Sequence, residues 1–569
     1  MSRFSAAIVL LLSFVAGMSH AADPTPKTAD AQPFPLQKCI DDQLKAGKRQ
    51  VVVPPGRYRV APTAGQHLAF KELKDVEIIA DGVEMVCTQT IRAIVFEHCQ
   101  NVRFKGLTID YDPLCYTEAR ITAVASDKRW AEFAILPGYP DDTLQNRVEI
   151  FDPSTGELRR ETCEWAGQFQ SLGNHRYRMT KPSWYRDNPR WDTERVGDIV
   201  VTNNTFPAGA GGHAVESHQC SHLKLEDVTL YASPCFGFLE ENCDATTYLR
   251  CKIDRRPPAD DPVQRSLKRM RSLNADAFHS NEAIRGPAIL QCTAKFQGDD
   301  CVNIHGVYHF ITAAHGNQVR FARTGSIGIQ AGDPVEFLPR SGVRPPDAVA
   351  VKVERSGPLT AAERAFIEKV DMWPPHKESL LKGRYPFFEV TIDRPVSLAK
   401  GSGICSGNLV GNGFAVKDCD FGFNRSRGIL IKASRGEVSG NTITHGWMAA
   451  VLVSPEFWWL ESASSSDLAI RDNRIVECRQ PAIEVVAPGG DTKPLPAGAH
   501  RNISITGNTI ADSAWPNIRV TSTTGLTIKG NQLTPADPKD FTAPRSWQWR
   551  GGTVKPEQTA VELCDGPAN

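Results

Sequence analysis

Val438-Ser439-Gly440-Asn441-Thr442-Ile443 is the stretch that decides the fold. An apolar residue, two turn-forming residues and a second apolar run describe a corner between two brief strands, not a helix. The pattern returns along the chain. Residues 470–475 carry Asp472-Asn473 in the same place, 505–510 carry Gly507-Asn508, and 528–533 carry Gly530-Asn531. Earlier copies lie at 104–109, 225–230 and 416–421. The later copies are spaced by roughly 22 to 35 residues, the range of a solenoid. One such unit cannot bury its own apolar face, but stacked units can, each strand pairing with the one above and below. An Asn at the corner tolerates left-handed backbone and can bond the Asn of the next coil. The expected fold is therefore all-β, a right-handed parallel β-helix. A β-propeller is the rival, but its blade period of roughly 40 residues and its Trp-Asp signature are absent.

Two segments break the rhythm, 117–203 and 306–401. Both read as antiparallel strands with Asp, Gly and Pro turns, and they share an echo, Gly197-Asp198-Ile199-Val200 against Gly332-Asp333-Pro334-Val335. They are expected to be β-rich insertions, a small barrel each or one shared barrel. A helix is expected over 361–370, with Thr360 and Glu363 as its capping box. The full division is a signal peptide (1–21), a polar leader (22–35), a cap and first coils (36–116) with a helix near 36–46, the first insertion (117–203), coils (204–305), the second insertion (306–401), coils (402–535) and a tail (536–569).

Arg3, the apolar run 6–18 and Ser19-His20-Ala21 form an export signal too short to span a bilayer. The expectation is an exported protein with no membrane span once the signal is removed. Lys plus Arg number 65 and Asp plus Glu 65, so the basic excess of a nucleic-acid binder is missing. The cysteines number fifteen, an odd count that leaves at least one thiol unpaired. Many sit in apolar strand-like runs and read as small buried hydrophobes. No Cys-x-x-Cys pair is present to hold zinc.

The chemistry concentrates in Asn274 to Gly306, NADAFHSNEAIRGPAILQCTAKFQGDDCVNIHG. Asp276 and the pair Asp299–Asp300 are separated by about one coil, which puts them on neighbouring rungs roughly 5 Å apart along the axis. Strict alternation would send Asp299 and Asp300 to opposite faces, so the backbone must turn there, and Gly298 is the residue that permits it. Asn274 shares parity with Asp276, and Asn303 and His305 share it with Asp299. His279 has the opposite parity and is not expected to reach substrate. Cleaving an acetal needs an acid for the leaving oxygen and a base or nucleophile. Crowded carboxylates split their pKa values and can supply both. A calcium site or an idle acidic loop is the competing reading, although the Asp-x-Asp-x-Asp-Gly calcium loop is absent.

Asn274-Ala275-Asp276, Gly298-Asp299-Asp300-Cys301-Val302-Asn303-Ile304-His305-Gly306 and Asn424-Arg425-Ser426-Arg427-Gly428 together resemble glycoside hydrolase family 110, the bacterial exo-acting α-1,3-galactosidases. The Asp-Asp motif is also similar to that of polygalacturonases. The resemblance implies removal of terminal α-1,3-linked galactose from oligosaccharides or glycoconjugates such as the blood group B antigen, by inversion and without metal or other cofactor. It implies Asp276, Asp299 and Asp300 as the catalytic residues, with Asp299 as acid and Asp276 with Asp300 as the water-activating pair. Asn274, Asn303, His305, Arg425, Arg427, Glu456 and Trp458 are candidates to hold the sugar. Glu456 lies beside Trp458 and Trp459, and an aromatic wall with a few fixed polar groups suits a sugar pocket. Competing functions are a polygalacturonase-like endo-hydrolase, a calcium-dependent polysaccharide lyase, and a non-catalytic glycan-binding adhesin. Oligomeric state is open, a homodimer included.

Overall fold

A computed structural model of the chain describes residues 31–141, 144–159, 164–165, 168–181, 194–203, 212–261, 268–535 and 559–565. The signal peptide, most of the leader and most of the tail lie outside the described residues. Among the described residues no helix is long and apolar enough to cross a membrane.

The chain winds as a right-handed parallel β-helix, and its coils join 33 strands into one sheet system. Two apolar columns explain why the coils stack. Ile289, Val416, Val438, Ile470, Ile505 and Ile528 are register partners on successive coils. Across the corner, Ala294, Phe421, Ile443, Ile475, Ile510 and Leu533 form a second column. All but the terminal Ile528 and Leu533 are fully buried, and each large member contributes about 1.5–3 kcal/mol by leaving water.

The corner between the columns is an asparagine ladder. Asn441, Asn473 and Asn508 each donate through the side-chain amide to the Oδ1 of the Asn one coil on, at 2.9 Å. The left-handed backbone, however, belongs to the residue before each Asn. Gly440, Asp472, Gly507 and Gly530 have φ between 55° and 69°, which frees the Asn side chain to turn inward. The column is continued at Cys419, whose N–H donates to Asn441 Oδ1 at 3.0 Å. The fourteen described cysteines are all free, and all but Cys39 and Cys564 are buried.

The insertions differ from each other. The first is a seven-stranded antiparallel sheet, running from Tyr116–Val124 to Ile199–Asn203. Among the described residues only the second closes, as a six-stranded barrel from His309–His315 to Gly403–Ser406. Their shared echo is one turn used twice. Gly197 and Gly332 take positive φ, and Asp198 and Asp333 each accept a backbone N–H from three residues back at 2.9 Å. The coils resume across both insertions: Lys224–Glu226 pairs with the strand Gln100–Tyr111, and Ala415–Lys417 with Ala288–Leu290. Helix α1 (Leu36–Lys45) caps the first coil. Helix α2 (Ala361–Ile367) has both capping-box bonds from Thr360 and Glu363 but ends three residues short of the expected 370. A further helix, α3 (Pro374–Leu381), follows it and was not expected, because its Pro-Pro start reads as a breaker although proline suits a first helical turn.

Candidate active site

Five strands on one side of the coil carry the site: β1 (Phe238–Glu241), β2 (Phe278–Asn281), β3 (Val302–Val307), β4 (Ile429–Ile431) and β5 (Val451–Val453). Phe238, Phe278, Val302, Ile429 and Val451 are register partners, one per coil. The carboxylates occupy the turn just before these strands. Backbone bonds continue into that turn: Gly237 N–H donates to Asp276 O (2.8 Å), Ala277 N–H to Asp300 O (2.9 Å) and Cys301 N–H to Arg427 O (3.1 Å). Asp276, Asp300 and Arg427 therefore form a vertical column over three coils. Asp299 stands beside it. Because Asp299 and Asp300 precede the strand, alternation does not separate them. The role of Gly298 is space, not backbone freedom: a Cβ there would lie 2.7 Å from the carbonyl oxygen of Asn274.

The three aspartates each bring an oxygen within 4.8 Å of the others, the one such convergence of three or more potential ligand side chains among the described residues. The spacing would suit a cation, but arginines already hold the charge. Arg425 pairs with Asp299 and donates to the Gly298 carbonyl at 2.7 Å. Arg147 approaches Asp299 at 3.6 Å. Arg427 donates to Asp300 twice, from its N–H (2.8 Å) and from its guanidinium (3.0 Å). Asp276 accepts from the Asp300 N–H (3.2 Å) and meets His279 Nδ1 at 2.7 Å.

These surroundings separate the acidities. Burial pushes Asp300 up, Arg427 opposes it, and the charges of Asp276 and Asp299 add to the rise, leaving it at about 8. Burial also acts on Asp299, but Arg425, Arg147 and Arg427 outweigh it and hold the carboxyl below its ordinary value. Burial raises Asp276, against the His279 bond and with the help of Asp299. These surroundings thus favour a proton on Asp300 over one on Asp299. Exposure runs the other way: 27% of the Asp299 side chain is open, against 7% for Asp276 and 2% for Asp300.

The other candidate residues divide. Arg425 and Arg427 are in the site as described. Glu456 joins it through Arg427 (3.4 Å) and Lys432 (3.2 Å). Asn303 bonds Glu461 and Lys432. Trp458 lies in the short 3-10 turn Phe457–Trp459 that follows Glu456, its ring edge-on to Trp459 with centroids 4.4 Å apart. Two expectations need correction. Asn274 is spent inside the wall, donating to the carbonyls of Cys115 and Pro234 and accepting from Arg271, so no polar atom is left for a sugar. His305 is buried with both ring nitrogens engaged, by the Gly306 carbonyl and by His279, so neither is left to bond a sugar.

Four residues that sequence reasoning missed complete the site. His279 was set aside by strand parity, which fails because Asp276 precedes the strand. Lys432, whose side chain is wholly buried, lies between Glu456 and Glu461; the available signal was a lysine directly after the apolar run Ile429-Leu430-Ile431. Glu461 is paired with the Lys432 ammonium at 2.7 Å, which favours its ionised form against burial. Arg147 comes from the first insertion, and nothing local to it points to the aspartates.

Fold and site together define a β-helix protein with a carboxylate cluster at one corner of the coil. The description "right handed beta helix region" matches residues 385–533. The chain has homologues named alpha-1,3-galactosidase along most of its length. The A enzyme of Bacteroides fragilis NCTC 9343 is 23% identical over 88% of this chain and 84% of its own. The B enzyme of Bacteroides thetaiotaomicron is 22% identical over 89% of this chain and 83% of its own. A solved family 28 exopolygalacturonase of Yersinia enterocolitica aligns with 94% of this chain and 75% of its own, at 8% identity and a TM-score of 0.39.

Proposed function

We propose that the chain is an exported exo-α-1,3-galactosidase that removes terminal α-1,3-linked galactose from glycans of the blood group B type. The observation that carries this reading is the column of Asp276, Asp300 and Arg427 with Asp299 at its open side. It supplies one partly solvent-facing carboxyl and two recessed ones, and the sequence relatives are named alpha-1,3-galactosidase. Asp299 is the acid because it alone reaches out to a leaving oxygen. Asp276 and Asp300 share the water. In the reaction the water oxygen bonds to the anomeric carbon as the bond to the leaving oxygen breaks. The leaving oxygen takes the proton of Asp299, and a water proton passes to the recessed pair. Asp300 has the higher proton affinity and Arg425 holds Asp299 ionised, so Asp299 acts as acid when its pairing with Arg425 is loosened and it takes the proton from Asp300. The recessed pair is then ionised for its task.

A neutral sugar fits better than a uronate. The cations here, Arg147, Arg425, Arg427 and Lys432, all face carboxylates already. The same pairing supports metal-free action. The pocket form that exo cleavage needs is supported by the first insertion, whose Arg147 reaches the Gly298 carbonyl at 2.7 Å and whose Glu149 faces Arg425 at 3.7 Å. The oxygen spacing within 4.8 Å favours a second reading, retention through a glycosyl-enzyme intermediate, because retaining pairs are roughly 5 Å apart. We favour inversion because both oxygens of Asp276 and of Asp300 are engaged and recessed, which suits holding water better than attacking a sugar.

Incubation with Galα1-3Gal and with a blood group B oligosaccharide, EDTA present, is expected to release free galactose, first as the β anomer. The α anomer first would favour retention. An ultraviolet-absorbing unsaturated product would indicate a lyase, and binding without release an adhesin.

A further inference from the structure

His279 is a buried titratable group that the mechanism above does not use, and its hydrogen bonds fix the hydrogen on Nε2 and the partner of Nδ1. His305 Nδ1 lies 2.8 Å from the Gly306 carbonyl, which only accepts, so His305 Nδ1 carries a hydrogen. Burial pushes His305 down to about 4, which keeps the ring neutral and leaves Nε2 as an acceptor. His279 Nε2 lies 2.9 Å from that nitrogen and must donate to it. The remaining nitrogen, Nδ1, meets Asp276 Oδ2 at 2.7 Å. One proton lies between those two atoms, and neither a ring flip nor a change of tautomer is possible without orphaning a buried group. The ring plane is fixed as well: Phe236 stacks on His279 at 4.1 Å and 8°, and His213 stacks on Phe236 at 4.4 Å and 12°.

We propose that His279 is a positioning residue: locked in one orientation by His305 and the Gly306 carbonyl, it donates from Nδ1 to Asp276 and aims that carboxylate at the attacking water. The proposal rests on the reading of the aspartates given above. Asp276 is gripped at both oxygens, by His279 on Oδ2 and by the Asp300 N–H on Oδ1. The ionisable groups facing His279 are Asp276, Glu461, Lys432, His305 and His213. Burial lowers His279, but Asp276, by hydrogen bond and charge, and Glu461 outweigh burial and Lys432, and the ring is held above the ordinary histidine value. The His279 bond lowers Asp276 against the rise that burial imposes, so a charged His279 favours the ionised form that the base must take.

Two measurements test it. In histidine-labelled native protein, nitrogen NMR should show both ring nitrogens of His279 protonated at neutral pH, while His305 remains neutral with its hydrogen on Nδ1. Asp276→Asn should abolish the charged signature of His279. A neutral His279, with its one hydrogen on either nitrogen, or a charged His305, would overturn the proposal, and this readout does not depend on which glycan is cut. On Galα1-3Gal, His279→Gln should lower kcat at least tenfold with KM changed less than twofold, and should move the acidic limb of the pH profile upward. Adding it to Asp276→Asn should cost less than twofold more. An unchanged kcat, a loss confined to KM, or losses that multiply in the double variant would refute it. If native protein cleaves no α-galactoside, the functional reading fails while the NMR arm still decides the histidine arrangement. If His279→Gln does not fold, the native spectrum alone decides it.

Discussion

Asp299 is a carboxyl pulled two ways. Arg425 and Arg147 favour its charged form, whereas its open position favours contact with a leaving oxygen. If it delivers the proton, Asp299→Asn should lose roughly 10²–10⁴-fold in kcat on Galα1-3Gal, yet far less on an aryl α-galactoside whose leaving group departs unprotonated. Comparing kcat on the two substrates checks this, and equal losses would move the acid role to Asp300. At this scale the sequence exposed residue types better than residue directions. The aspartates were legible from motif and coil period, Arg425 and Arg427 from the motif, and Glu456 from its place beside Trp458 and Trp459. Asn274, His279 and His305 were misread for one reason: parity was extended from strands into the turns that precede them. In those turns the side-chain direction depends on local dihedrals that no alternation rule supplies.

The corner is the element that holds the coils in register. Asn473 accepts the N–H and the side-chain amide of Asn441 and donates to Val438 O and Asn508 Oδ1, all in a buried column. Asn473→Ala leaves buried donors and an acceptor unpaired and should lower stability by at least about 2 kcal/mol. Asn531→Ala, at the half-exposed end of the column, should cost less. Denaturant unfolding midpoints check the order; equal costs would remove the dependence on burial, and no cost at Asn473 would mean that the ladder carries no stability. These corners were legible because a turn needs particular residues at fixed places, and stacking repeats the need. What the pattern did not give was which residue takes the left-handed backbone. Gly440 and Gly507 precede their Asn, but so does Asp472, and only the coordinates show that the position before the Asn bears the strain in all three. The form of the insertions was hidden for a related reason: alternating strands announce a sheet, whereas closure depends on pairings between distant strands.

At the scale of the molecule, a stack of coils is a device for bringing distant residues to adjacent heights. Twenty-four positions separate Asp276 from Asp300, and the register that pairs Phe278 with Val302 sets them one above the other. The next coil, beyond the barrel insertion, brings Arg427 to the same corner. Arg147 arrives from the other insertion to close the side. The account therefore depends on Asp276, alone on its coil, acting together with the two aspartates of the next. The most direct test is kcat of Asp276→Asn on Galα1-3Gal, with the thermal midpoint measured alongside to show that the coils remain stacked. The account predicts a fall of roughly 10²–10⁴-fold at an essentially unchanged midpoint; turnover within tenfold of the native protein would contradict it.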